Sequence, residues 1–238
     1  MTEARYAYTG QPTRNPFRFL LALWRVSRDL TRTDEAAIVE IGFARSRLGR
    51  RFARWENTVA RLESDPRTAG LLRSEDRFGH IDVDALARLP EGTLGRVFAV
   101  HCRARNIDPN LVRIPGDDTV DRFLDRMYAT HDVWHVVTGW GNDETGEVGL
   151  GAFYLAQLDA PFFMFLFAFI ALNTVFVAPS TLRERMDALV AGYQAGKKAE
   201  PLFGADWKTL WHVPLGDLRA RLGITNDGVV GEGIRAAA

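Results

Sequence analysis

Two histidines stand four residues apart in His131-Asp132-Val133-Trp134-His135, and Glu147 follows after eleven further residues. Positions i and i+4 of a helix share one face, one turn above each other, so both imidazoles can address a single ion. Asp132 sits beside that face, and Glu147 could return on a following helix to complete the shell. Imidazole nitrogens combined with carboxylate oxygens suit zinc, or another divalent first-row metal, better than calcium or magnesium. The residues expected at a metal centre, and at any chemistry it supports, are therefore His131, Asp132, His135 and Glu147. A His-x-x-x-His pair alone is also compatible with two helical histidines satisfied by ordinary hydrogen bonds. Two features favour the ion. A carboxylate in a mid-helix aromatic setting is costly unless paired or ligating, and a second carboxylate falls on the facing helix.

Competing chemistries are tested by what the chain lacks. The His-Glu-x-x-His of zinc peptidases is missing, because Asp132 follows the first histidine. Di-iron bundles need a Glu-x-x-His pair on two helices, and none occurs. A His-Asp phosphohydrolase site stays open, with His101 and Asp159 as conceivable extra ligands. No glycine-rich phosphate loop follows a strand, so no organic cofactor is expected. His80, His101 and His212 are scattered and read as structural or exposed.

The motif must be held by helices. The run VDRFLDRMYATHDVWHVVTGW places Val120, Phe123, Leu124, Met127 and Trp134 at helical intervals, so the first histidine is expected deep in one long helix. Gly139 and Gly141 end it. Asn142 or Asp143 can cap the next helix, ETGEVGLGAFYLAQL, which carries Glu147 in its first turns. A short loop between antiparallel helices then brings Glu147 back beside His135. Upstream, Asp82-Val-Asp84 precedes a short helix stopped by Pro90, and GTLG leads into the amphipathic helix RVFAVHCRARN. Residues 17–30 form an amphipathic helix, and Thr33-Asp34-Glu35 starts another that continues through residue 48. No strand alternation, hairpin signal or internal repeat of convincing length is present. The expected fold is all-α, a single multi-helix domain over 1–238 with a lipid-sized hydrophobic cavity. Its basic helical N-terminal region covers 1–74 and its core 75–225.

Composition narrows the partners. Lys and Arg balance Asp and Glu at 30 each in 238 residues, which argues against nucleic acid. Residues 1–60 nevertheless hold eleven Arg against six acidic residues, a net of +5. Arg45, Arg47, Arg50, Arg51 and Arg54 crowd its far end, as a solvated basic face or a contact for anionic lipid headgroups. A lone Cys102 excludes an internal disulfide and a cysteine-based zinc site. The opening MTEARYAYTG lacks the apolar core of a secretory signal, so neither export nor cleavage is expected. Between Pro161 and Pro179 runs FFMFLFAFIALNTVFVA, seventeen residues without a charge. A spanning helix needs about 20 apolar residues. The segment is read as a buried core helix, or as one that lines a greasy cavity or touches the bilayer surface.

HDxxH, eleven residues and Glu together form a pattern that resembles the coenzyme Q (ubiquinone) biosynthesis protein 4 family. LPEGTLGRVFA at 89–99 is similar to that family's Leu-Pro-x-Gly-Ser/Thr-Leu-Gly segment. Arg126-Met-Tyr-Ala-Thr-His131-Asp132 resembles its helix entering the motif, and 189–224 resembles its closing segment. The resemblance covers roughly residues 75–225. It implies an all-helical protein lying peripherally on the cytoplasmic face of the inner membrane. There it would remove the ring carboxylate of a polyprenylated precursor of the 4-hydroxy-3-methoxy-5-polyprenylbenzoate type, with coupled hydroxylation. By position, His131, Asp132, His135 and Glu147 are the implied ligands, for Zn2+ before other divalent metals. Zinc has no redox chemistry, so the oxidative half needs oxygen acting on an electron-rich ring, or a redox metal in the same site. The implied partners are the precursor lipid, the membrane surface and other ubiquinone biosynthesis enzymes, with a homodimer also open to it. The alternative is a non-catalytic scaffold that binds the lipid and organises those enzymes, and four protein ligands closing off the ion would favour it. Hydrolysis of a prenyl phosphate is a third reading.

Overall fold

Short polar residues write the helix starts. Ser46, Asp82, Thr93, Asp118 and Asp143 each accept a hydrogen bond from the backbone N–H three residues on, satisfying a donor the first turn leaves open. The computed structural model describes residues 46–72, 77–114 and 116–225, together with residue 42. Among them lie α1 (Arg47–Ala53), α2 (Trp55–Ser64), α3 (Val83–Leu86), α4 (Leu94–Arg105), α5 (Thr119–Ala129) and α6 (His131–Thr138). They continue as α7 (Glu144–Leu158), α8 (Pro161–Phe176), α9 (Leu182–Lys198), α10 (Trp207–Leu210) and α11 (Leu215–Arg221). No strand occurs among the described residues, and the fold is all-α. The helices expected over 17–30 and from residue 33 lie outside the described residues, apart from the Arg47–Ala53 turn. There Arg50 pairs with Asp118 at 2.8 Å and Asp121 at 3.3 Å, while Arg47, Arg51 and Arg54 are exposed.

The core gathers around aromatic side chains. Trp55, Trp134 and Trp207, with Phe98, Phe123, Phe153 and Phe162, are fully buried. Trp55 packs on Phe123 and Phe162, with ring centroids 5.2 and 5.1 Å apart. Such clusters contribute area burial at roughly 25 cal/mol per Å² plus a pairwise ring term.

The helix entering the motif is not continuous. Thr130, at φ −107° and ψ 0°, separates α5 from α6, so His131 opens its own helix instead of lying deep inside a longer one. The Thr130 hydroxyl donates to the Arg126 carbonyl one turn back. Back-bonding of this kind bends a helix, and hydrophobic periodicity does not reveal it.

The charge-free segment forms α8, about 24 Å long at 1.5 Å per residue. Phe162, Phe163 and Phe167 are buried, but Val175 is 66% and Phe176 78% exposed. The fully buried helix that composition allowed is therefore not what forms. The apolar surface continues across the bend onto Leu182, Met186 and Val190 of α9, all exposed. No single helix among the described residues is long and apolar enough to cross a membrane; α8 and the Pro179–Lys198 helix pass such a test only as a pair bent by 119°. The two polar residues inside the greasy run hold that elbow. Arg185, buried on α9, donates to Asn173 Oδ1 at 2.8 Å and to Thr174 Oγ1, and pairs with Glu144 at the start of α7.

Helices α7 and α9 pack backbone to backbone through Gly149 and Gly192. A Cβ on Gly192 would collide with the Gly149 carbonyl oxygen, which no side-chain rotation relieves. Gly192→Ala is expected to cost about 3 kcal/mol of stability. Gly216→Ala, where a Cβ meets nothing within 4 Å, should leave stability within about 1 kcal/mol of wild type or raise it. Denaturant unfolding of both variants checks the pair; equal midpoints would refute the close-approach argument.

Candidate metal centre

Helix α6 carries the histidines and α7 the glutamate. Gly139 ends α6 in the left-handed region, at φ 83°, where its N–H bonds the His135 carbonyl. Asp143 caps α7 four residues later, which turns the chain back. Buried Arg219 of α11 holds the far end of α6, donating to the carbonyls of Val137 and Val136 at 2.9 and 2.8 Å.

These elements place three donors together. His131 Nε2 and His135 Nε2 are 3.1 Å apart, His135 Nε2 is 3.2 Å from Glu147 Oε1, and His131 Nε2 is 3.7 Å from Glu147 Oε2. Metal bonds of about 2.0–2.1 Å in tetrahedral array imply donor separations of about 3.3–3.4 Å, so the set fits one divalent ion. His135 Nδ1 lies 2.9 Å from the Trp140 carbonyl. A carbonyl only accepts, so Nδ1 carries the proton and, in the neutral ring, Nε2 presents its lone pair toward the site. Outer hydrogen bonds of this type orient metal-binding histidines. The residues present fit a metal, and a set of two histidines and one glutamate is shared by catalytic zinc sites and by iron sites that use oxygen.

The structure brings together His131, His135 and Glu147, and leaves Asp132 outside the group whose ligand atoms lie within 4.8 Å of one another. Asp132 falls in the first turn of α6, where a carboxylate complements the helix dipole. Its charge reaches Cys102 on α4, which burial foremost and then Asp132 push up to about 12. Three protein donors leave one position of a four-coordinate ion open. The side chains of His131 and Glu147 are 36% and 33% exposed while His135 is sealed, so the centre opens on one side.

The charges within the set are ordered. Burial and the neighbouring His135 hold His131 below the usual histidine range. His135 is buried too, yet the Glu147 carboxylate against it outweighs burial and raises it. Burial works against the Glu147 charge as well, but His135 and then His131 bring its carboxyl below the ordinary value. Without metal, Glu147 therefore favours a proton on His135, while His131 is the ring less ready to take one.

Aromatic rings lead away from the ligands. Tyr154 of α7 stacks on Trp134 at 4.2 Å and 7°, faces His131 at 6.0 Å and 13°, and lies parallel to Phe163 of α8 at 5.3 Å. Parallel rings thus connect a metal-site histidine to the greasy helix. Neither Tyr154 nor the Trp140 carbonyl is signalled by donor spacing. His101, read from the sequence as structural or exposed, is 4% exposed and stacks on His135 at 6.4 Å. Its period with Leu94, Val97 and Phe98 on the buried face of α4 was the available signal. His80, His212 and Asp159 are exposed and contribute nothing to the site.

An all-helical protein with a one-sided centre of two histidines and a glutamate, joined by stacked rings to an uncovered apolar helix pair, is the class that this fold and site define. The family model for the coenzyme Q (ubiquinone) biosynthesis protein Coq4 matches residues 43–227, and the chain belongs to that family. It is 30% identical over 169 residues to the mitochondrial ubiquinone biosynthesis protein COQ4 of Eremothecium gossypii, an alignment covering 68% of this chain and 51% of that protein. The Rattus norvegicus homologue is 26% identical over 170 residues, covering 69% and 63% respectively. The chain thus spans between about half and just under two thirds of those curated relatives. A crystal structure from Nostoc punctiforme PCC 73102, of a protein provisionally named for ubiquinone biosynthesis, superposes with a TM-score of 0.72. It is 28% identical and covers 89% of this chain and 99% of its own.

Metal and proton compete for His135. Because the Glu147 carboxylate raises His135 above the ordinary histidine value, proton and ion compete for Nε2, and metal affinity should climb as pH rises through that range. Zinc titration by calorimetry in buffers of different ionisation enthalpy should register a proton release that falls as pH is raised from 6 to 8. No buffer dependence at pH 6 would contradict the coupling of His135 to its proton.

Proposed function

We propose that the protein acts in ubiquinone biosynthesis as a metal-dependent decarboxylase of a polyprenylated hydroxybenzoate, working peripherally at the cytoplasmic face of the inner membrane. The observation that carries this reading is the set of two histidines and a glutamate, open on one side and linked through Tyr154 to α8. His131, His135 and Glu147 would hold the ion, and Asp132, from outside the set, adds negative charge that favours it. When bound, a divalent ion supplies Lewis-acid stabilisation of the charge that develops as the carboxylate leaves. Tyr154 and Trp134, stacked on each other and buried, pack behind His131 and fix its place. The exposed face of α8 offers the isoprenoid tail an apolar surface. In the reaction the bond from ring to carboxyl carbon breaks, its electron pair stays with the ring, and CO2 departs. The ring carbon then takes a proton.

The exposed residues Leu172, Val175, Phe176, Leu182 and Met186 favour a second reading, a lipid-binding scaffold on which other ubiquinone biosynthesis enzymes, or a second copy, assemble. Its docking role and the enzymatic one part at His135. With 4-hydroxy-3-methoxy-5-polyprenylbenzoate as substrate, purified His135→Ala should release CO2 at least about a hundredfold more slowly than wild type. CO2 release at the wild-type rate after loss of the ion would sink the catalytic reading and leave the scaffold. Replacing both Val175 and Phe176 by Asp should weaken cosedimentation with anionic vesicles at least about tenfold. Unchanged cosedimentation would remove α8 from the membrane contact.

A further inference from the structure

The donors of the metal centre are not all held in the same way. His135 is oriented by the Trp140 carbonyl. The Glu147 carboxylate, among the described residues, meets no polar group except the two histidines it would join on the ion. Ligand carboxylates are ordinarily hydrogen-bonded from behind, by groups that do not touch the metal. Without such a partner, the reach of Glu147 is set by the backbone that carries it. That backbone is the opening turn of α7, where the Glu147 N–H bonds back to the Asp143 carbonyl at 2.9 Å. Helix ends fray unless something outside the helix holds them.

Arg185 supplies that hold. It is 3% exposed, pairs with Glu144, the first residue of α7, and donates to Asn173 Oδ1 at 2.8 Å and to Thr174 Oγ1 near the end of α8. Further along the same helix, Gly192 meets Gly149 backbone to backbone. Helix α9 therefore fixes α7 at Glu144 and at Gly149, and Glu147 falls between the two points. Stability alone does not account for a buried arginine here. Packed apolar residues commonly hold such a junction as well as an ion pair does. A cation near the start of α9 opposes the dipole of that helix, and Arg185 Nε is buried without a partner. What a guanidinium adds is direction, because its planar fork sets the angles between the groups it joins. We propose that Arg185 is a positioning residue of the metal centre: through Glu144 it fixes the first turn of α7, and so the reach of the Glu147 carboxylate toward His131 and His135. The proposal rests on the metal-centre reading and deepens it. A guanidinium has no lone pair to offer, so Arg185 acts through α7 and is not a donor to the ion. The same side chain grips Asn173 and Thr174, which registers the centre against the end of the greasy helix.

The test titrates the full chain with cobalt(II), read by the visible absorption of the metal, and follows thermal unfolding of the same samples. A double variant, Arg185→Met with Glu144→Leu, replaces the pair by apolar side chains. Its melting temperature should stay within about 3 °C of wild type. Its cobalt affinity should fall at least about tenfold, with altered band intensities as Glu147 is displaced. Arg185→Lys keeps the charge but not the fork and should lose about fivefold in cobalt affinity. Glu144→Gln still accepts from Arg185 and should bind cobalt within about twofold of wild type, with the wild-type spectrum. Wild-type affinity and spectrum in the double variant would overturn the role of Arg185 and leave the metal centre standing. A loss in Glu144→Gln as large as in the double variant would make Glu144 a source of negative charge instead of a tether, and overturn the proposal as stated. Should the double variant melt far below wild type, Arg185→Lys decides: weakened cobalt binding at the wild-type melting temperature supports the proposal, and wild-type binding overturns it. Wild-type protein that takes up no cobalt would overturn the metal centre, and this inference with it.

Discussion

The hydrogen bond from His135 Nδ1 to the Trp140 carbonyl, 2.9 Å long and sealed from water, ties the site to the fold. It spans the turn between the two ligand-bearing helices, so a single contact sets both the tautomer of His135 and the course of the loop. The loop then depends on space. Trp140 folds back over Gly149 of α7, where any Cβ would enter the indole ring. The same Gly149 meets Gly192 of α9 backbone to backbone. The orientation of the His135 imidazole is thereby linked through one glycine to the packing of α7 against α9. A dense interior leaves such a chain of contacts little room to drift.

Electrostatics adds a second constraint. Three titratable groups within hydrogen-bonding distance cannot all keep their solution charge when buried. His131 is pushed toward its neutral form, and His135 toward the charged form that pairs with Glu147. That ordering makes His135 the ring at which proton and metal compete. Asp132 fits this picture from its place outside the set. At the start of α6 it meets the positive end of the helix dipole, and its negative field reaches both histidines and Cys102.

Much of this was legible in the chain because it is local. The i, i+4 histidines, the glycine that stops α6, the aspartate that caps α7 and the short loop between them depend on neighbours within a few turns. Sequence spacing therefore placed Glu147 beside His135. What it could not place depends on partners distant in sequence. Thr130 breaks the helix through its own hydroxyl bond, a choice that hydrophobic period does not register. The seventeen-residue apolar run reads by composition either as core or as a helix at a cavity or bilayer surface, and only packing shows that Phe162, Phe163 and Phe167 are buried while Val175 and Phe176 are exposed. His101 sits thirty residues before His131 and meets His135 only once α4 packs on α6. The family resemblance supplied the ligand set as four residues, and tertiary geometry separates the fourth from the other three.

That separation bears on function more than any other feature. Four protein donors would enclose an ion and suit a structural role. Three, with two of them partly exposed, leave room for an incoming oxygen on the side that faces solvent. Stacked rings run from this opening to α8, whose far side is apolar and uncovered. In the proposed reading, a ligand with a polar aromatic head and a hydrocarbon tail would place its head at the donors and its tail on the exposed residues of α8. A small soluble acid would use the donors and leave the apolar face without purpose. A plain hydrocarbon would use the face and leave the donors unsatisfied. The proposed function joins the two: an amphiphile with an oxygen-bearing ring would engage the three donors and the exposed face of α8 as two halves of one binding surface.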